Sequence, residues 1–424
     1  MNILLTAAGS LGDIAPYTGL GARLRTAGHE VTVATHDTYA PLVRAAGLTF
    51  RPLPADPRAT APADAATTGT PTTRRALLRR AATFIEQLGA SMADATTPDT
   101  DLLLLSTTTA PLGWHLAEAL DIPSVGAYLQ PTAPTRAFAP AVGGARSLGG
   151  WGNRAAGHLS LRIVDRLYTD AVRALRTRLD LPPTTPRAAR RRTEAANWPV
   201  LHGFSELLVP RPTDWRPGLT LTGHWWPHLA PDAQLPAELE DFLTSGPPPV
   251  AIGFGSMTTP DTERLGTLAV RALRRANTRG ILLSGTTGLA SPSPSPSDDI
   301  LTLTTPVPHA LLFPRLAAAV HHCGAGTAAA ALRAGIPSVP VPFTGDQPFW
   351  AARLAALGAA TPALPFTTLT KLPLDDAVTR LATALTQATT TPALRTRAQS
   401  AAHHLATEDG PTTALHTLTH HLTP

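Results

Sequence analysis

A short apolar run, a turn of small residues and an amphipathic helix follow one another repeatedly along the chain. The first run, NILLTA at residues 2–7, is typical of a buried parallel strand. GSLGDIAP forms the turn after it, and YTGLGARLRTAGH has the spacing of a helix that ends at Gly28. EVTVATH, YAPLVRAAG, DLLLLST and IPSVGAY continue the pattern. Strands and helices that alternate in units of about 30 residues predict a doubly wound parallel sheet.

The same pattern starts again in the second half of the chain, with PVAIGFGSM, GILLSG, AAAVHHCG, GTAAAALRAG and IPSVPVP. The sequence therefore predicts an α/β protein in which two Rossmann-like domains face each other across a cleft. We place the N-terminal domain at 1–212, a connecting region at 213–245, the second domain at 246–400, and at 401–424 a helix that packs back on the first domain. Ligands of open α/β sheets bind at the carboxyl ends of the strands.

The composition excludes several classes of protein. No segment reaches the roughly 18 apolar residues of a membrane span, and MNILLTAAGSLGD enters a strand without a basic leader, so we expect a cytoplasmic protein. A single cysteine excludes an internal disulfide framework. The net charge is +5, and RAARRRTEA at 187–195 is its densest cluster. No aromatic residues are interleaved there, so we interpret it as a solvated loop or helix start rather than a nucleic-acid surface.

VHHCGAGTAAAALRAG, at 320–335, offers three kinds of chemistry. A metal site is disfavoured because His321 and His322 are adjacent and leave a strand on opposite faces. Cys323 lies at a helix start beside a histidine, where a thiol can be activated, but a small apolar filler at a tight turn is the preferred interpretation. The third possibility is a cradle for an anion.

An anion cradle needs a close backbone approach and hydrogen-bond donors. Gly324 and Gly326 allow the backbone to turn tightly, the following helix directs its first N–H groups at the turn, and Thr327 and His322 add donors. A plain strand–helix turn with Thr327 as its cap explains the same residues equally well. From this stretch alone the two interpretations stay open.

The longer block from Val307 to Gly358 resembles the donor-binding signature of the inverting GT-B glycosyltransferases, in particular the bacterial natural-product and sterol type. GSLGDIAP and IGFGSM resemble two further blocks of that family. The resemblance covers most of the chain. It implies transfer of a hexosyl group from a UDP- or dTDP-sugar to a hydrophobic acceptor, without a metal or other cofactor, by a monomer or homodimer.

The resemblance also implies roles for individual residues. His322, Gly324 and Thr327 would bind the donor diphosphate, with Ser256 and Ser10 beside it. Val307 would contact the nucleobase, and Asp346 and Gln347 would bind the sugar hydroxyls. Asp13 would be the catalytic base, and Asp346 is the second candidate for that role. The position of Asp13, before IAPYTGL, suits a helix N-cap as well. Its place at the cleft end of the first strand favours the role of base.

Two departures from the family bear on the donor. Many relatives place a glutamate for the ribose hydroxyls where this chain has Ala330, so dTDP-sugars become plausible beside UDP-sugars. The VPH block also lacks the tryptophan that plant-type relatives stack on the base.

For the acceptor we expect walls at 52–73 and 129–153, the latter with Phe138 and Trp151.

Other functions remain as alternatives. A nonhydrolysing sugar-nucleotide epimerase and a non-catalytic partner subunit share the architecture, whereas a dehydrogenase would need a GxGxxG turn that AAGSLGD lacks. The triplet DTD at 99–101 precedes its strand, which places it at the wrong edge of the sheet for a metal in the cleft. His416, His420 and His421 are interpreted as a chance grouping on a helix surface.

Overall fold

The computed structural model of the chain describes residues 1–54, 74–144, 146–257, 259, 261–291 and 299–422. The acceptor wall expected at 52–73 lies mostly outside these residues. Twelve strands among the described residues form two parallel sheets, and helices flank both.

The first sheet has seven strands in the order β3-β2-β1-β4-β5-β6-β7. Its strands are β1 (Asn2–Thr6), β2 (Glu30–His36), β3 (Thr49–Leu53), β4 (Leu102–Leu105), β5 (Ser124–Tyr128), β6 (Val200–His202) and β7 (Leu219–Leu221). The second sheet has five strands in the order β10-β9-β8-β11-β12. They are β8 (Val250–Gly253), β9 (Gly280–Leu283), β10 (Ile300–Leu303), β11 (Ala318–His321) and β12 (Ser338–Pro340). Each order reverses beside its first strand, where an open sheet leaves a crevice for ligands.

Helices connect the strands and follow the second sheet. In the first half they are α1 (Leu11–Thr26), α2 (Ala40–Ala45), α3 (Arg74–Ala95), α4 (Ala110–Leu120), α5 (Gly149–Leu167), α6 (Thr169–Arg178) and α7 (Pro186–Ala195). In the second half they are α8 (Ala237–Thr244), α9 (Thr262–Arg275), α10 (His309–Leu312), α11 (Ala325–Arg333), α12 (Gln347–Ala356), α13 (Phe366–Lys371), α14 (Leu374–Thr390), α15 (Pro392–Ala406) and α16 (Gly410–Leu422). No helix in the described part of the chain is long and apolar enough to span a membrane.

Alternate side chains of each strand enter different cores. Ile3 and Leu5 of β1 face α1 and α16, whereas Leu4 lies on the other face, with Leu88 and Met92 of α3. Because α16 packs on α1, the end of the chain joins the core of the first domain. Its surface histidines form no group of three metal-binding side chains among the described residues.

Two helices begin earlier than the sequence predicts. Ser10 is the N-cap of α1, so Asp13 lies at the third helical position and not ahead of the helix. Gly324 is the N-cap of α11, so Thr327 also lies at the third position and does not cap it. Asp is favoured both as an N-cap and within the first turn, so the residue type alone did not decide between the two possible start positions of α1.

The arginine cluster at 187–195 is helical rather than a loop, and forms α7. Arg190 pairs with Asp165 and Glu194, and Arg192 pairs with Glu118. Two of its three consecutive arginines therefore tie α7 to neighbouring helices.

Candidate active site

The turn after β1 holds the carboxylate of Asp13. The backbone N–H and the hydroxyl of Ser10 both donate to Oδ2 of Asp13, each over 2.8 Å. Gly9 has a φ of +151°, and a Cβ there would lie 2.5 Å from the same oxygen. A glycine at this point lets the carboxylate fold back against the turn at the carboxyl end of β1.

His36 supports this turn and was missed by the sequence reasoning. Its Nε2 accepts a hydrogen bond from the backbone N–H of Gly9 over 2.9 Å. Because Nε2 is the acceptor, Nδ1 carries the proton and donates a hydrogen bond to the carbonyl of Pro54. The available signal was a polar residue at the end of the strand EVTVATH.

The turn after β11 is built differently from the prediction. Its left-handed residue is Cys323, with φ +63°, whereas Gly324 has φ −60° and Gly326 lies within α11. The N–H of Cys323 donates to Nδ1 of His321, whose Nε2 reaches the hydroxyl of Ser338. This network stabilises a backbone conformation that is costly for a residue with a Cβ. Cys323 is buried, and burial raises the pKa of its thiol, as suits a small filler at a turn.

Gly255, in the turn after β8, and Gly324, in the turn after β11, leave room for the imidazole of His322. A Cβ on Gly255 would lie 2.9 Å from Cε1 of His322, and a Cβ on Gly324 would lie 2.6 Å from Nε2. Burial, with a smaller contribution from the charge of His309, lowers the pKa of His322 to about 4. The ring is therefore neutral at pH 7. Its Nδ1 is buried and has no hydrogen-bond partner among the described residues.

The start of α11 opens onto unfilled space. A Cβ on Gly326 would meet no atom within 4 Å, Thr327 is half-buried, and Ser256 is exposed in the turn after β8. The first N–H groups of a helix carry a partial positive charge and lack partners within the helix. Such a helix start, flanked by a hydroxyl and a neutral imidazole, suits a phosphate group. Val307 lies beyond the end of β10 and packs on the same hydrophobic cluster as Ala330 of α11.

Asp346 and Gln347 lie where β12 leads into α12. Oδ2 of Asp346 accepts from Nε1 of Trp350 over 2.8 Å, and the side chain of Gln130 also hydrogen-bonds to this carboxylate. Oε1 of Gln347 accepts from the backbone N–H groups of Phe343 and Thr344, and its Nε2 donates to the sulfur of Met257. Asp346 is thus held from both domains, since Gln130 follows β5.

The two carboxylates lie within electrostatic range of each other. Burial raises the pKa of Asp346, and the charge of Asp13 raises it further, while hydrogen bonds from Trp350 and Gln130 oppose the shift. Helix α1 also lies against α11. The structure therefore brings the N-terminal turn of Asp13 to the same cleft as the second-domain residues.

Other predicted features lie elsewhere. Phe138 is buried between Trp215 and Phe349, so it belongs to the core and not to an acceptor wall. The DTD triplet lies at the amino ends of the strands, where Asp101 accepts a hydrogen bond from the backbone N–H of Asn2. That edge is opposite the cleft, as predicted, and no group of three or more metal-binding side chains occurs in the described ranges.

Known proteins resemble both halves. Residues 3–139 match the glycosyltransferase family 28 N-terminal domain, and residues 296–420 match the erythromycin biosynthesis protein CIII-like C-terminal domain. O-mycaminosyltylonolide 6-deoxyallosyltransferase of Streptomyces fradiae is 34% identical over 425 residues, covering 97% of this chain and 95% of that protein. This chain belongs to the same family of glycosyltransferases. The chain is also 34% identical to sterol 3-beta-glucosyltransferase UGT80A2 of Arabidopsis thaliana, and this match covers 89% of the chain and 60% of that protein.

Solved structures confirm the predicted fold of the glycosyltransferase. The kitacinnamycin glycotransferase superposes with a TM-score of 0.72 at 18% identity, over 99% of this chain and 98% of that one. The glycosyltransferase VinC, solved in complex with dTDP, superposes with a TM-score of 0.65 at 21% identity, over 99% of each chain. Both likenesses concern the two-domain architecture.

Proposed function

We propose that this glycosyltransferase inverts the anomeric centre of a sugar as it moves the sugar from a nucleoside diphosphate to a hydroxyl of a hydrophobic acceptor. The observation that carries the proposal is the approach of Asp13 to Asp346, one from each domain, together with the turn of His322 that leads into the start of α11. A base, a sugar-binding carboxylate and an anion site then share one cleft.

The donor diphosphate binds at the start of α11. Gly326 leaves space there for the diphosphate. The hydroxyls of Thr327 and Ser256 donate hydrogen bonds to its oxygens, and the neutral ring of His322 adds an N–H donor. A neutral imidazole donates a hydrogen bond to the diphosphate but carries no positive charge. A positive charge would bind the unreacted substrate strongly as well, and would not favour the transition state alone. Ser10 contributes less directly, because its hydroxyl is engaged by Asp13.

The nucleoside is thymidine or uridine, held at the backbone of Val307. Ala330 offers no hydrogen bond to a ribose 2′-hydroxyl, so the loss of that hydroxyl in dTDP costs little binding. VinC, solved with dTDP, supports this choice by likeness of fold. Asp346 accepts from the sugar hydroxyls, and Gln347 offers only its Nε2, since its Oε1 is already occupied.

Asp13 removes the proton from the acceptor hydroxyl. The acceptor oxygen forms a bond to the anomeric carbon while the bond from that carbon to the diphosphate oxygen breaks, and the electron pair leaves with the diphosphate. The helix start and His322 stabilise the charge that develops there. A single displacement of this kind inverts the configuration and uses no metal.

The acceptor is a bulky apolar natural product. The matched relatives are named for acting on a tylonolide and on sterols, which supports that class. The stretch 129–153 follows β5 at the cleft edge and carries few charges, so its part ahead of Val142 remains our candidate wall apart from Phe138, whereas Val142, Leu148 and Trp151 are exposed.

The test is a mass-spectrometric screen of dTDP- and UDP-sugars against a panel of aglycones, repeated with Asp13→Asn and with EDTA. We expect a product whose anomeric configuration, assigned by NMR, is inverted relative to the donor, a loss of about 100-fold or more in kcat for the variant with dTDP binding retained, and no effect of EDTA. Full activity in Asp13→Asn would remove that residue from the role of base. Sugar-nucleotide conversion without an acceptor would favour an epimerase instead.

A further inference from the structure

Helix α5 exposes large apolar side chains on its outward face. Trp151 is 84% exposed, Leu159 58% and Ile163 62%, and the exposed residues Val142 and Leu148 precede the helix in the chain. Six of the ten exposed large hydrophobic residues in the described part of the chain lie between 142 and 164. Scattered apolar residues need no explanation, but a cluster of this kind marks an interaction surface.

The opposite face of α5 fixes this orientation. Asn153 and Gly157 are its buried residues. Asn153 donates to the carbonyl of Arg136 and accepts from the backbone N–H of Leu148, and a Cβ on Gly157 would lie 2.9 Å from Cα of Pro134. The helix is therefore docked closely through that side, and Trp151, Leu159 and Ile163 cannot turn inward without undocking it.

Cations border the apolar face. Arg162 of α5, with Arg187 and Arg191 of α7, lines a cleft of about 530 Å³ between the two helices. Arg190 also lines it but is paired with Asp165 and Glu194, and Glu194 is the one carboxylate in the lining. Arg162, Arg187 and Arg191 are exposed and form no ion pair within the described ranges. The cleft therefore carries a positive charge that nothing on its own walls neutralises.

We propose that this face of α5 and the arginine cleft beside it form a docking surface for a membrane of anionic phospholipid. Trp, Leu and Ile side chains on one side of a helix enter the boundary between head groups and acyl chains. Guanidinium groups bind phosphate through paired N–H donors and add electrostatic attraction to anionic lipid. The cleft takes a lipid head group, and the apolar face takes the acyl region next to it.

Other occupants fit less well. A nucleic acid would match the arginines but leave Leu159 and Ile163 in water. A second copy joined through a two-fold axis would bring the same arginines against each other. The proposal extends beyond glycosyl transfer and does not depend on Asp13, since its measurement is binding to lipid.

Co-sedimentation with vesicles tests the surface. The full chain should bind vesicles of phosphatidylcholine with phosphatidylglycerol, bind phosphatidylcholine alone far less, and lose binding in high salt. Arg162→Gln with Arg187→Gln and Arg191→Gln should weaken binding by roughly 100-fold, and Trp151→Ser with Ile163→Ser should weaken it as well. Leu120→Ser and Arg173→Gln, at exposed positions elsewhere, serve as matched controls and should bind as the wild type does.

Two results would overturn the proposal. One is the absence of binding to anionic vesicles, or binding that both sets of variants retain. The other is a dimer in sedimentation velocity that Trp151→Ser disrupts, which would assign the face to a second copy of the chain. Thermal melting of each variant verifies that a lost interaction reflects the surface and not unfolding.

Discussion

The indole N–H of Trp350 donates to Oδ2 of Asp346 over 2.8 Å, so the side chain at the N-cap of α12 is held by the first turn of its own helix. An aspartate at an N-cap commonly accepts hydrogen bonds from the first backbone N–H groups of its helix, but the side chain of Asp346 makes no such bond. Instead, the carboxylate is directed at Trp350 and Gln130, toward the cleft.

This arrangement predicts a conflict between stability and activity. Asp346→Asn keeps an oxygen for Trp350 and removes a buried charge near Asp13, so at pH 8 its melting temperature should exceed that of the wild type. Because burial and the charge of Asp13 raise the pKa of Asp346, the wild-type carboxylate regains its proton as the pH falls and the difference should shrink. Glycosyl transfer should fall at every pH.

Asp375→Asn is the control, since Asp375 is an exposed carboxylate paired with Arg271 far from the cleft. It should change neither the melting temperature at pH 8 nor the activity. An Asp346→Asn variant that is less stable than the wild type at pH 8 would contradict the electrostatic account.

Gly9→Ala should impair the chemical step. The new Cβ would lie 2.5 Å from Oδ2 of Asp13 and must displace the carboxylate, and a displacement near 1 Å costs roughly 100-fold in rate. Gly28→Ala is a matched control, because Gly28 has φ +91° but its Cβ would meet nothing within 4 Å. Measured kcat should fall only for Gly9→Ala, and equal losses in both would indicate backbone strain alone.

Gly326→Ala should separate stability from donor binding. Alanine in place of a helical glycine stabilises the free protein by about 0.5–1 kcal/mol, and no protein atom obstructs the new methyl group. If the diphosphate occupies that space, dTDP affinity in calorimetry should fall roughly tenfold, or about 1.4 kcal/mol. Unchanged affinity would move the diphosphate away from the start of α11.

Buried histidines should make the fold sensitive to acid. Burial lowers the pKa of His115 and His224 to about 4, and that of His202 and His321 to about 3. The unfolded chain binds these protons near pH 6.5 and the folded chain does not, so stability is present above that pH and declines below it. The free energy of unfolding in urea should fall from pH 7 to pH 5.

His202→Phe isolates one of these groups. Its ring can keep the stacking contact with Trp215 and takes up no proton. The dependence on pH should become shallower by about 1.4 kcal/mol per pH unit below pH 6. An unchanged slope would show that His202 titrates normally in the folded protein.

Much of the fold was predictable because strands of parallel sheets are buried on both faces and read as continuous apolar runs. NILLTA and DLLLLST gave adjacent strands β1 and β4, and the carboxyl end of β1 correctly located the turn of Asp13. Helix starts were less certain, because Ser10 and Asp13, or Gly324 and Thr327, are equally acceptable near a first turn.

Eight of the twelve strands that the structure describes, and the edge of each sheet where we expect a ligand, followed from the order of apolar runs and small residues alone, whereas β3, β6, β7 and β10 were not predicted. Only the tertiary structure decided that His36 supports the turn of Gly9, that Gln130 reaches Asp346 from the other domain, and that the left-handed residue is Cys323. Those facts rest on contacts between residues distant in sequence. Local patterns carry no information about such contacts, because the geometry that brings the residues together exists only after both domains have packed.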